Sequence, residues 1–143
     1  MQNQKGFTII ELIVVIAIIA VLATIVMINV TGYIAKSKDA AIKGNMSTIA
    51  TSAASYYDTN KTYVNVFLSA NNPTAYNAIN QITTSLSNGA PTTGANASAW
   101  CVCSNLTAVS GNTYCADSTG YRNETTSACS ARCNVSSAPV CVN

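Results

Sequence analysis

An apolar run from Phe7 to Ile28, holding one carboxylate at Glu11, constrains this chain more than any other feature. A helix rises about 1.5 Å per residue, so roughly 20 such residues cross a bilayer. The run is apolar around its whole circumference, interrupted only by Thr8, Glu11 and Thr24. An ionised glutamate in lipid is costly, and a chain that keeps one is expected to supply a partner for it. Just upstream stands Lys5-Gly6-Phe7, a positive charge and a residue without a side chain in front of the apolar block.

After Asn29 the pattern changes. Ile34, Ile42, Met46, Ile49, Ala53 and Tyr56 recur on one face of a 3.6-residue period, with Lys36, Lys38, Asp39 and Lys43 on other faces. No proline interrupts Phe7 to Tyr57, so the spacing predicts one long helix, apolar all round in its first half and amphipathic in its second. Gly32 is a candidate bend, at a cost of about 1 kcal/mol relative to alanine. Asp58-Thr59-Asn60-Lys61-Thr62 reads as the turn that ends it. A second helix is predicted from Asn72 as N-cap and Pro73 at the first helical position. Ala75, Ile79, Ile82 and Leu86 would share a face, and Gly89 would stop it. Ala90 to Ala99 reads as a connector. Trp100 to Cys103 and Thr113 to Ala116 read as strands around a turn at Val109 to Asn112, with a further turn at Ser118-Thr119-Gly120. Beyond Tyr121 the chain reads as loop held by cysteines, ending in a short extended piece near Val140. The expected class is α+β: a long N-terminal helix packed on a small antiparallel sheet, with a disulfide-rich C-terminal region.

Composition narrows the function. The 143 residues are enough for one domain, and the part after the apolar run can bury a modest core that gains from covalent staples. Charged residues are 8% of the chain and the net charge is +2, so nucleic acid is not indicated as a partner. There is no histidine, which removes the usual general base and the commonest metal ligand. Asp117, Arg122 and Glu124 lie in the cysteine-rich part with no motif linking them. The chain therefore does not read as an enzyme, and no cofactor is implied.

All six cysteines, Cys101, Cys103, Cys115, Cys129, Cys133 and Cys141, fall in the last third of the chain. An even number confined to one end reads as a disulfide framework formed outside the cytoplasm. On a strand Cys101 and Cys103 point to the same face, so each should seek a partner on another element. Six cysteines permit fifteen pairings, and the sequence does not choose among them. A zinc-thiolate site is the rival reading, disfavoured in an exported chain. Seven Asn-x-Ser/Thr sequons occur, among them Asn60 and Asn105, but chance supplies several in a chain this rich in Asn, Ser and Thr.

The string Lys5-Gly6-Phe7-Thr8-Ile9-Ile10-Glu11-Leu12-Ile13 resembles the N-terminus of type IV pilins and of type II secretion pseudopilins. That family carries a basic leader ending in glycine, then a phenylalanine, then a glutamate as fifth residue of the mature chain. Tyr56-Tyr57-Asp58-Thr59-Asn60-Lys61-Thr62-Tyr63 is more weakly similar to the helix end and loop of many pilins. Two departures stand out. Many major pilins have a proline where this chain has Ile28, and their usual pair of C-terminal cysteines is here six.

The resemblance implies a leader over 1–6, a transmembrane and filament-core helix half over 7–28, and a globular head over 29–143 that includes the amphipathic half-helix 29–57. It implies cleavage between Gly6 and Phe7 by a prepilin peptidase, N-methylation of Phe7, and a role for Glu11 in assembly, where the new amine meets the carboxylate. The chain would sit as a single-pass protein in the bacterial inner membrane, then polymerise into a homo-oligomeric helical filament, extracellular or periplasmic, through pilus or type II secretion machinery. Tyr33, Tyr56 and the strands would pack on the amphipathic half-helix. An ordinary signal peptide fits less well, since the apolar core is long, contains Glu11 and lacks an A-x-A site. The lysine count opposes this orientation, because Lys36, Lys38 and Lys43 follow the span while Lys5 alone precedes it. The cysteines and the resemblance outweigh it. The alternative is a signal-anchored, disulfide-rich extracellular binding module that does not polymerise.

Overall fold

Helix α1 runs from Ile9 to Asn60 without a break at Gly32. A computed structural model describes residues 6–86, 89–133 and 139–142, with the backbone alone at Ile28 and Asn29. Most of the expected leader, Lys5 included, lies outside the described residues. Two compact units divide the chain, Met1–Ile34 and Ala35–Asn143. In the first, every described side chain from Gly6 to Ile34 is exposed. That corrects the placing of Tyr33 and Ile34 on the packed face, since they are 71% and 51% exposed.

In the second unit the packed face of α1 consists of Ile42, Met46, Ile49 and Ala53, all fully buried. Asp39 belongs with them, and not on another face as expected, because it lies three residues before Ile42 and so on the same side of the helix. Its carboxylate accepts hydrogen bonds from the Thr107 amide at 2.6 Å, the Thr107 hydroxyl at 2.8 Å and the Ala108 amide at 3.0 Å. The helix continues past Tyr57 to Asn60, into the segment expected to turn. Thr59 Oγ1 donates to Ser55 O and Asn60 Nδ2 donates to Tyr56 O. Lys61, at φ 58°, then ends it in the left-handed region.

Helix α2 spans Pro73–Gln81, capped by Asn72, whose Oδ1 accepts from the Ala75 amide at 3.1 Å. It continues as one π-helical turn over Ile82–Leu86. Four strands follow, β1 (Thr92–Ala95), β2 (Trp100–Asn105), β3 (Thr113–Asp117) and β4 (Arg122–Thr125), all antiparallel and in the order β1-β2-β3-β4. Two of them depart from the sequence expectation. Strand β1 occupies the supposed connector, where β-branched Thr92 and Thr93 pair with Cys103 and Val102. Asn96 makes its hairpin, accepting from Ser98 N and Ala99 N. Strand β4 occupies part of the supposed loop. It is a wholly polar edge strand, and an edge defended by Arg122 and Glu124 needs no apolar residue.

The sheet has two packed faces. Trp100, Val102 and Ala116 join Ile42, Met46 and Ile49 in one cluster. The alternate residues Cys101, Cys103 and Cys115 form a second cluster on the other side, as the period of 2 requires. A short helix α3 (Cys129–Arg132) and the last residues cover it through Cys101–Cys133, Cys103–Cys129 and Cys115–Cys141. Cys103 and Cys115 stand opposite each other in the sheet, yet each bonds to the covering segment.

Candidate assembly site at the N-terminus

Gly6 and Phe7 lie just before α1, and Glu11 lies in its first turn. Phe7 is 80% exposed. A Cβ on Gly6 would meet nothing within 4 Å among the described residues, so their packing makes no demand for glycine there.

Thr8 precedes the first helical residue, and Glu11 is the third residue inside. Glu11 Oε2 accepts from the Thr8 amide at 2.8 Å and from the Thr8 hydroxyl at 2.8 Å, while the Glu11 amide donates to Thr8 Oγ1 at 3.3 Å. This reciprocal pair is a capping box, which satisfies two of the amides left over at a helix start. The sequence carries its signal as Thr8-x-x-Glu11 ahead of an apolar run, a local partner for the carboxylate beside the expected amine. Glu11 Oε1 accepts no hydrogen bond among the described residues.

Along the helix, Thr24 Oγ1 donates to Ala20 O at 2.7 Å, which removes the cost of a hydroxyl in an apolar stretch. Ala17 leaves a shallow apolar hollow of about 370 Å³ bounded by Val14, Ile18, Val21 and Leu22. Lys36 and Lys38 are exposed. Lys43 instead donates to Glu124 Oε2 at 2.8 Å, and Glu124 Oε1 accepts from Asn112 Nδ2 at 3.2 Å. The Lys43 and Asn112 hydrogen bonds hold the Glu124 carboxyl below its ordinary value, and the Glu124 hydrogen bond holds Lys43 above its own.

Of the other polar groups singled out in the sequence, Asp117 is tied to nearby backbone. Asp117 is buried and accepts from Thr119 N, Tyr121 N and Cys141 N. Arg132, which the sequence did not mark, is 1% exposed. It donates to the carbonyls of Val142 and Asn123 and to the Tyr121 hydroxyl. Among the described residues no group of three or more His, Cys, Asp or Glu stands ready for a metal.

Helix α1 is long and apolar enough to cross a membrane, and this fits the single-pass anchor of prepilin-like proteins. No curated protein and no solved structure matches the chain. Residues 1–27 match the family described as the prokaryotic N-terminal methylation motif, so that the chain carries the signature of type IV pilins and pseudopilins.

Proposed function

We propose that this chain is a structural subunit that polymerises through its N-terminal helix into a type IV pilus or pseudopilus. The observation that carries the reading is the methylation motif over 1–27, lying on a segment whose described apolar side chains are all exposed. Prepilin peptidase cleaves between Gly6 and Phe7 and methylates the new amine. Glycine at a position with no internal packing constraint supports a requirement imposed from outside, by a protease that must approach the backbone.

The amine created at Phe7 would stand one residue before the N-cap Thr8 and four before Glu11, and either the same chain or a neighbouring subunit can supply it. Thr8 engages Oε2 and leaves Oε1 for that cation. Low dielectric strengthens the pair and penalises either partner alone, so the carboxylate sets register as much as it adds stability. The apolar surface serves first against lipid of the bacterial inner membrane and then against neighbouring helices, with Ala17, Ala20 and Ala23 allowing close approach. Its partners are further copies of the chain, the peptidase and the assembly machinery. The disulfide-bonded part faces an oxidising space, in an extracellular or periplasmic filament.

Replacing Glu11 with Val is expected to leave membrane insertion intact and to abolish filaments in shear fractions; normal filaments from Glu11→Val would remove the pairing role. Intact mass of the mature protein tests the wider reading. A chain beginning at methylated Phe7 supports it, and one beginning at Met1 or beyond Ile28 supports a non-polymerising anchored module instead.

A further inference from the structure

A polar cleft of about 320 Å³ opens between the end of α1 and the start of α2, wholly within the second unit. No charged side chain lines it. An adjoining hollow of about 360 Å³ shares Ser52, Ser55 and Thr74 and extends along α1 to Ser47. Each is at the small end of ligand sites, about 300–1,000 Å³.

The hydrogen-bonding groups of the cleft are of two kinds. The Ser52 and Thr59 hydroxyls donate to Ile49 O and Ser55 O, and Asn60 Nδ2 donates to Tyr56 O, so these side chains keep acceptor oxygens. The hydroxyls of Ser55 and Thr74 are exposed and make no hydrogen bond among the described residues, so they are free to donate. Asn72 also lines the cleft. It is 6% exposed, its Oδ1 is taken by the Ala75 amide, and its buried Nδ2 has no partner among the described residues. A buried amide donor left unpaired is penalised, so Asn72 gains from any rearrangement that brings an acceptor to it. Tyr56 adds an aromatic flank, held in place by its hydroxyl donating to Val64 O at 2.8 Å.

We propose that this groove binds a neutral saccharide of more than one ring. The absence of a cationic lining disfavours an anion, and the absence of a carboxylate disfavours a cation. Sugar hydroxyls both donate and accept, which suits a wall that mixes acceptor oxygens with unused donors. Every lining residue belongs to Ala35–Asn143, outside the apolar segment of α1.

The test is a titration of the isotope-labelled full chain, in micelles of a detergent without a sugar headgroup, with methyl β-lactoside and methyl β-maltoside. Saturable shifts of the Asn72 side-chain amide and of the Ser55 and Thr74 backbone amides, at millimolar concentrations, are expected for at least one. Ser55→Leu and Thr74→Leu, at exposed positions, fill the groove and should each weaken binding about tenfold with the Trp100 fluorescence melt unchanged. If one variant unfolds, the other carries the test. Absence of saturable shifts with both glycosides overturns the proposal. So does binding unchanged in the folded variants, or tighter binding of glucosamine or N-acetylneuraminic acid than of either neutral glycoside.

Discussion

Ile16 and Ile42 lie on the same helix, yet Ile16 is 57% exposed and Ile42 is fully buried. The first belongs to a unit in which Thr8 bonds Glu11 and Thr24 bonds Ala20, both within one helical turn. The second belongs to a unit held by long-range ties: Asp39 to Thr107, Lys43 to Glu124, and three disulfides. The difference teaches where each unit finds its apolar partner. Residues 35–143 bury their apolar groups against one another. The described apolar side chains of the stretch before them are exposed, as suits a segment long and apolar enough to cross a membrane.

The largest effect that would sharpen this contrast is reduction. The bridges close loops with sequence separations of 32, 26 and 26, and each adds about 2–4 kcal/mol. Together they are on the scale of a whole domain's stability, about 5–15 kcal/mol. Thiol treatment of the full chain in micelles is expected to red-shift the fluorescence of Trp100, the single tryptophan, and to abolish its cooperative melt. The helical circular dichroism of the apolar segment should persist. A reduced protein that still melts cooperatively near the oxidised temperature would break the claim that the second face of the sheet depends on its bridges.

Next comes the isoleucine pair itself. Ile42→Ala removes atoms from a closed core and should cost about 2–5 kcal/mol. Ile16→Ala, the same chemical change, should leave the Trp100 melt where it was. Equal shifts in the two variants would mean that the units are not separable in this way. Asp39 follows in size. Asp39→Ala strands the Thr107 and Ala108 amides and should cost about 1.5–3 kcal/mol, the scale for hydrogen bonds to a charged group, read in the same melt.

The sequence made the two halves of this comparison unequally legible. Periodicity carried α1, α2 and the two central strands, because each buries a face and so repeats its apolar residues. Strands β1 and β4 lie at the sheet edges, where Thr92-Thr93-Gly94-Ala95 and Arg122-Asn123-Glu124-Thr125 show no apolar alternation. Their identity comes from the neighbours they pair with, and a linear reading does not contain it. The same holds for Asp39 and Arg132, charged residues whose burial is set by distant loop amides and carbonyls. The cysteine positions on β2 announced that Cys101 and Cys103 would look to other elements, but the choice among partners rests on the return of the chain through α3. At the N-terminus Glu11 was conspicuous for the opposite reason, as a residue that breaks an otherwise uniform pattern. Its capping contact with Thr8 is legible too, in the Thr8-x-x-Glu11 spacing.

The smallest effect concerns the one ion pair seen among the described residues, Lys43 with Glu124, whose side chains are 40% and 39% exposed. Exposed pairs contribute about 0.2–1 kcal/mol, so it should be a minor tie between α1 and β4. Its sign with pH is nevertheless fixed. Glu124 has a folded value below its ordinary 4.5, so its contribution is complete above that value and is lost as pH falls through the lower folded one. Lys43 has a folded value above its ordinary 10.5, so its contribution is complete below 10.5 and is lost as pH rises through the higher folded one. Between those limits the melt of the parent should exceed that of Glu124→Gln slightly, and raised salt should narrow the gap through screening. A gap that widens in acid would reverse the assignment. A loss as large as that of Ile42→Ala would show that surface charge, and not the buried core, ties β4 to the helix.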